Sequence, residues 1–387
     1  MCIINKIGPP VVGDNFYGRE AELKKANRLL DSGHSLLLSA PRRIGKSSLA
    51  KKLLEEKTAQ GWKCVYIDLE ETFSEDGFLE LIIDEFSKGQ VWRQVTGGLS
   101  KGVKTILDRI GKISIGPIGI DLKTTEDRED LYSSLRSLLR HDENTLVVVD
   151  ELTLFLNSLL RSEDGENKVS FILNWLRSIR QIADTQIRWL FCGSVGLKNF
   201  TSSLNLSYTI NDLANFSLDE LTREEARGLM KGLCKGEDII MEEDIIEYAL
   251  DKIYWNIPYF IQVLFSKVSE NYDGHVSRKD IDNAYAMLCS DTYLGTWSER
   301  LAEYREYEFP ARQVLKALSS RKAGLSRNTL MSVLMEGVQM SEYDKTDLLL
   351  SHVLEMLEND GYIIRKGSVR AFRSPLLRDF WYAKFVQ

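Results

Sequence analysis

The chain has 387 residues, a net charge of −7, and hydrophobic and charged fractions of 43% and 28%. That is the composition of an ordinary globular protein, long enough for two or three domains with real cores. It excludes a global basic field that would draw nucleic acid, so any such attraction has to be local to one domain.

The five cysteines (Cys2, Cys64, Cys192, Cys234 and Cys289) include no C-x-x-C pair, and the four histidines lie far apart. Neither set suggests a metal cluster or a redox pair. The opening MCIINKIGPP lacks the apolar core of a signal peptide, and no run reaches membrane-spanning length. A cytoplasmic location without membrane contact is the expectation.

In chain order, Ser35–Ser39 (SLLLS) is a short apolar run suited to a buried parallel strand, and Ser48–Lys57 continues in good helix formers. Lys63–Leu69 reads as a second buried strand and Glu75–Ser87 as a helix. Gln90–Ile110 is interrupted by Gly97 and Gly98, and Lys112–Lys123 alternates around Gly116-Pro117 as an inserted β-hairpin does. A helix over Asp130–Arg140 leads to the strand Thr145–Asp150. Another helix, Lys168–Ile182, leads to the strand Gln186–Cys192. Strands alternating with helices predict a parallel sheet with helices on both faces.

After Phe216 the character changes. Ser217–Ser290 reads as several short helices, one opened by the capping-box pair Thr222 and Glu225 and another by Pro258. From about Glu308, helical stretches at 311–319, 329–337 and 345–359 precede two strands, 362–365 and 369–373, around Lys366-Gly367-Ser368. Three helices and a hairpin describe a winged helix. The expected organisation is an α/β core over 1–216 with a hairpin insert near 112–123, an all-α region over 217–300 and a winged helix over 301–387.

The chemistry concentrates between the first strand and the first core helix, where the sequence reads APRRIGKSS from Ala40 to Ser48. In the pattern G-x-x-x-x-G-K-[ST], backbone amides cradle phosphates, a Lys reaches the β- and γ-phosphates and a hydroxyl ligates Mg²⁺. Ala40 stands at the first Gly, followed by Pro41, Arg42, Arg43, Ile44, Gly45, Lys46, Ser47 and Ser48, with a helix N-terminus behind them. ATP and Mg²⁺ are the expected ligands of this P-loop.

A second carboxylate for the metal belongs at the end of a neighbouring strand, and Asp150 after LVVV fits. Glu151 beside it is then placed as the general base. An acidic pair at a strand end is also an ordinary solvated turn. Ser194, ending the next strand, is either a sensor of the γ-phosphate and water or a strand-to-loop cap. Arg42 and Arg43 have three uses open to them: phosphate, the acidic strand end, or a neighbouring subunit.

Several motifs in order resemble one family. FYGREAEL (Phe16–Leu23) is similar to the "GRE" segment ahead of the phosphate loop in AAA+ proteins of the archaeal-type STAND and origin-recognition-like ATPases. APRRIGKSSL, VVVDEL, FCGS, NIPYFIQ (Asn256–Gln262) and FRSPLLRDFW (Phe372–Trp381) resemble their loop, acidic pair, strand ending, helical-lid motif and winged-helix end.

The resemblance implies an AAA+ P-loop ATPase core, a helical lid and a winged helix. It also implies that Tyr17, Gly18 and Arg19 line the adenine side while Pro258 closes it, although Phe16 and Tyr17 equally suit core packing. Ala40, and Trp255-Asn256 where many relatives carry small residues, depart from the pattern. No arginine finger is assignable.

The wing carries Arg365, Lys366, Arg370 and Arg373, which favours phosphate contact. The helix before it carries Asp344, Asp347, Glu355 and Glu358 against Lys345 and His352, which opposes it. The expectation is an ATP-hydrolysing switch that regulates a protein partner or self-assembly. A DNA-binding, initiator-like or transposition-like ATPase is the alternative.

Overall fold

The apolar runs of the first half form one parallel sheet. Its strands are β1 Leu36–Ser39, β2 Lys63–Asp68, β3 Thr145–Asp150, β4 Ile187–Gly193 and β5 Ala214–Ser217, in the order β2-β3-β4-β1-β5. The computed structural model describes residues 2–88, 125–139, 143–193, 196–272, 274–338 and 343–387. The expected hairpin at 112–123, the stretch 90–110 and Ser194 lie outside the described residues.

Parallel neighbours need long crossovers. Helices α1 Glu20–Asp31, α2 Lys46–Ala59, α3 Glu75–Lys88, α4 Thr125–Leu138, α5 Leu152–Leu160, α6 Gly165–Arg180 and α7 Gly196–Ser203 alternate with the strands. Side chains alternate between faces along each strand. Leu36, Leu38, Leu146, Val148, Leu190 and Cys192 are buried on one face, and Leu37, Val65, Ile67, Val147, Val149, Trp189 and Phe191 on the other. The second set joins Phe78, Phe155 and Trp175 in one core. There Phe78 stacks on Phe155 with centroids 5.0 Å apart and meets Trp175 edge-on at 6.2 Å.

Most predicted elements form near the expected bounds. The first core helix starts at Lys46, two residues early, because the phosphate-loop motif itself contributes its first turn. Up to Ser217, four α-helices or strands add to the expected set, α1 being the first. LTLFLNSLL (α5) is apolar on nearly every side and offers little helical period; α7 is short; and ANFS (β5) is too short and polar to read as a strand.

Glu20–Ser39 and Leu49–Ser217 make one compact unit. The N-terminal residues to Arg19, Ala40–Ser48 and Leu218–Gln387 make another. In this second unit the helices α8 Arg223–Gly236, α9 Glu243–Ile253, α10 Pro258–Ser269 and α11 Arg278–Cys289 come first, followed by the short α12 Gly295–Glu299. The Thr222–Glu225 capping box forms as the sequence predicts.

Beyond these lie α13 Glu308–Ser319, β6 Leu325–Ser326, α14 Arg327–Val338, α15 Tyr343–Asn359, β7 Ile363–Lys366, β8 Val369–Phe372 and α16 Pro375–Phe385. The three strands form an antiparallel sheet in the order β6-β8-β7. A file of rings joins this part to the helices before it: Trp255 to Trp297 at 6.0 Å, Trp297 to Tyr362 at 5.2 Å and Tyr362 to Trp381 at 6.1 Å. The Tyr362 hydroxyl donates to the Trp297 carbonyl at 2.6 Å, and Ser374 Oγ donates to the Ile253 carbonyl at 3.0 Å.

The N-terminal strap lies along α8, whose Gly228, Gly232 and Gly236 recur every four residues and so share one helix face. Ile3 is buried, and its amide donates to the Gly232 carbonyl at 3.0 Å. A methyl on Gly232 would run into the Ile3 side chain, one on Gly236 into the Ile3 backbone, and one on Gly228 into the Tyr17 ring. Because the obstacle at Gly236 is backbone, Gly236→Ala is expected to destabilise the fold by about 1–3 kcal/mol. Urea denaturation reads this as a lower midpoint with unchanged slope.

Candidate functional site

The motif residues occupy the turn between β1 and α2. Gly45 adopts φ +102°, a conformation that L side chains rarely take, with open space around the position of a Cβ. The Lys46 ammonium is buried and donates to the carbonyls of Ala40 at 2.9 Å and Pro41 at 3.0 Å. Its charge is thus held by two neutral acceptors of its own loop. Ser48 Oγ accepts the Val11 amide at 3.1 Å, so this hydroxyl fastens the N-terminal strap.

Arg43 is held at φ +62°, and its guanidinium lies 4.6 Å from the centroid of the Tyr259 ring on α10. Tyr259 is the residue after Pro258, which takes the first turn of α10 where its missing N–H costs nothing. Pro41 faces Gly361 in the turn between α15 and β7. A methyl on Gly361, itself at φ +84°, would come 2.9 Å from Pro41 and 2.6 Å from Trp255. The phosphate-loop sequence therefore packs against both the helices after 218 and the region after 308. Trp255, a departure from the resembled pattern, is central to that packing.

The GRE segment joins the loop to α8. The Arg19 guanidinium is buried and donates to the Ile44 carbonyl at 3.3 Å, while its backbone amide donates to Glu225 Oε1 at 2.9 Å. Arg19 thus ties the loop to the cap of α8. Burial works against the Glu225 carboxylate, yet the Arg19 amide and the Thr222 amide and hydroxyl hold its pKa below the usual value. Gly18, at φ +72°, leaves room for this carboxylate, because an added Cβ would lie 3.0 Å from Glu225 Oε1. Tyr17 rests on Gly228.

In the other unit, the strand order brings the carboxyl ends of all five strands to one edge of the sheet. Asp150 ends β3 there, is 2% exposed, and lies in register with Asp68 of β2. Its Oδ1 accepts the Glu151 amide at 3.0 Å and its Oδ2 accepts the Tyr66 hydroxyl at 2.7 Å. Glu151 has φ +54° and caps α5. With Arg19 and Arg43, it makes three candidate residues in the left-handed region, where a side chain costs about 1–3 kcal/mol and the surroundings must enforce it.

Among the described residues, three buried oxygens near this edge have no hydrogen-bond partner: Ser39 Oγ, Glu151 Oε2 and Thr153 Oγ1. Ser39 is in register with Gly193, and a Cβ on Gly193 would lie 2.8 Å from Thr153 Oγ1. Buried polar atoms are normally satisfied, so an unpaired group of three points to a polar ligand. Ser39, Tyr66 and Thr153 escaped the sequence reading. Ser39 directly precedes the motif at Ala40 and Thr153 follows Glu151 by two residues, whereas nothing in the sequence marks Tyr66. The tight fit predicts that Gly193→Ala destabilises by about 1–3 kcal/mol and that Thr153→Ala added to it recovers most of the loss. Thermal unfolding of the two variants provides the check.

Among the described residues, no cluster of three or more His, Cys, Asp or Glu is arranged to hold a metal by itself, and no helix is long and apolar enough to cross a membrane.

Residues 30–200 match the family model described as an AAA domain. No curated protein matches the chain. Among solved structures, a Walker-type ATPase of Pyrococcus abyssi is similar over 97% of this chain and 99% of its own, with a TM-score of 0.66 and 16% identity. The ORC2 protein of Aeropyrum pernix, solved as ADPNP–ADP complexes, is similar over 99% and 97% of the two chains, with a TM-score of 0.55 and 13% identity. At such identities the likeness is one of fold. Residues 30–200 thus match an AAA domain by sequence, within a chain whose whole fold resembles that of P-loop ATPases.

Proposed function

We propose that the protein is an ATP-binding, Mg²⁺-dependent ATP-hydrolysing switch. Its nucleotide state sets the positions of a lid (217–300) and a winged helix (301–387), and through them regulates a protein partner or self-assembly. One observation carries this reading: Ala40–Ser48 forms a compact unit with residues 218–387, through Arg43 on Tyr259 and Pro41 against Gly361. A loop that receives phosphate is thereby packed against the parts that are to move.

Lys46 exchanges the Ala40 and Pro41 carbonyls for phosphate oxygens when ATP enters. The amides of Ala40–Ser48 cradle those phosphates, with Tyr17, Gly18, Arg19 and Pro258 on the adenine side. Mg²⁺ suits the oxygen donors Ser47 and Asp150, since this ion keeps several waters and takes only one or two protein ligands besides phosphate. When bound, it neutralises charge developing on the β- and γ-phosphate oxygens. Glu151, with its unpaired buried Oε2, accepts the proton of the attacking water, and Ser194 serves as the sensor. Thr153 belongs to the same polar group.

The disposition of the wing cations supports a protein partner over duplex DNA. Arg370 is paired with Glu358 at 2.8 Å, Arg373 lies 5.1 Å from the Trp255 ring and Lys366 lies 5.0 Å from the Tyr254 ring. On α15, Asp347 is paired with Arg327 at 2.6 Å. Arg370 and Arg373 are thus engaged within the fold, while Lys366 lies at the surface against the exposed Tyr254 ring and Arg365 Nε donates to the Gly367 carbonyl at 3.2 Å.

Lys46→Ala is expected to abolish ATP binding in calorimetry; a normal affinity would overturn the proposal. Glu151→Gln should bind ATP as the unchanged protein does while phosphate release falls at least about a hundredfold. Duplex DNA with ATP and Mg²⁺ should show no retention at low salt. Tight retention that falls by orders of magnitude at moderate salt would favour the DNA-binding alternative.

A further inference from the structure

We propose that Tyr66 is the positioning residue of the metal-site carboxylate, its hydroxyl fixing the plane of Asp150 for Mg²⁺. The inference rests on the reading of Asp150 as a metal ligand. Tyr66 lies on β2 in register with Val148, two residues before Asp150 on β3, so both side chains emerge on the same face of the sheet. The ring is long enough to bridge that diagonal, and its hydroxyl donates to Oδ2 at 2.7 Å.

Asp150 cannot rely on water for its orientation, being 2% exposed. Its two oxygens are held from opposite sides by different elements: Oδ1 by the Glu151 amide at the start of α5, and Oδ2 by Tyr66. Two fixed donors stop rotation of the carboxylate plane. Each oxygen keeps a further lone pair, so neither hydrogen bond removes Asp150 as a ligand.

The Tyr66 ring is itself fixed. Lys51 of α2 places its ammonium 5.0 Å from the ring centroid. Lys51 follows Ser47 by four residues, one helical turn, so the helix that carries the proposed metal hydroxyl also packs the ring. A phenol is protonated throughout the neutral range, so the Tyr66 hydroxyl remains a donor to Asp150. Outer donors of this kind orient ligands and typically change metal affinity by about 10–100-fold when removed.

Tyr66→Phe deletes the hydroxyl and keeps the ring. The readout is binding of a fluorescent ADP analogue titrated with Mg²⁺, alongside the same measurement in EDTA. The Mg²⁺ midpoint is expected to rise by roughly tenfold, with affinity in EDTA unchanged. A midpoint within about twofold of the unchanged protein, even with a lower melting temperature, would overturn the inference and leave Tyr66 a packing residue. Should the unchanged protein bind the analogue equally with Mg²⁺ and EDTA, the reading of Asp150 fails and takes the inference with it. That outcome is visible before any variant is made.

Discussion

Strand β1 is hydrogen-bonded on both sides by parallel neighbours, β4 and β5, and the chemistry at the sheet's edge depends on that constraint. Parallel pairing puts every strand's carboxyl end at the same edge. The register sets Ser39 beside Gly193 and Ser217, and the pairing of β2 with β3 sets Asp68 beside Asp150. Open parallel sheets bind ligands outside this edge. Residues widely separated in sequence are therefore brought together by hydrogen bonds that none of their side chains make.

In the other unit the deciding interactions are aromatic. The file Trp255, Trp297, Tyr362 and Trp381 joins the helices after 218 to the region after 308. Each ring pair adds about 0.5–1.5 kcal/mol beyond the area it buries. Partly exposed ion pairs such as Arg370 with Glu358 or Arg327 with Asp347 contribute about 0–1 kcal/mol. The rings outweigh the ion pairs, and Gly361 supplies the space in which Trp255 and Pro41 meet.

Much of this was legible in the sequence, for local reasons. Apolar runs bounded by turns marked four of the five core strands; a capping box marked the start of α8, and Pro258 that of α10. The motif at Ala40–Ser48 and the pair Asp150–Glu151 announced their chemistry by residue type and spacing. The rest depends on partners remote in sequence. Tyr66 reaches Asp150 across 84 residues, and nothing in KCVYIDL distinguishes its phenol from core packing. The contacts of Arg19 to the Ile44 carbonyl and to the α8 cap cross 25 and 206 residues and have no local signal. Trp255 departs from the resembled lid pattern, and it packs both on Phe260 of the same segment and on Trp297 of a later helix, a partner the local sequence does not reveal. The acids of the helix before the wing were legible as a counterweight to its cations, but which cation meets which acid or ring, as Arg370 meets Glu358 and Arg373 meets Trp255, was not.

The composition of the second unit bears on how the protein is made. Residues to Arg19 and Ala40–Ser48 leave the ribosome before their packing partners, which lie between Leu218 and Gln387. At about 5–20 residues per second, the phosphate loop waits on the order of tens of seconds for Gly361 to be synthesised. The sheet strands can pair before the glycine face of α8, then Tyr259 and last Gly361 are made to receive Ile3, Arg43 and Pro41. The loop is thus translated well before the residues that clamp it, so a chain truncated before Leu218 would carry the loop without the packing that holds its backbone.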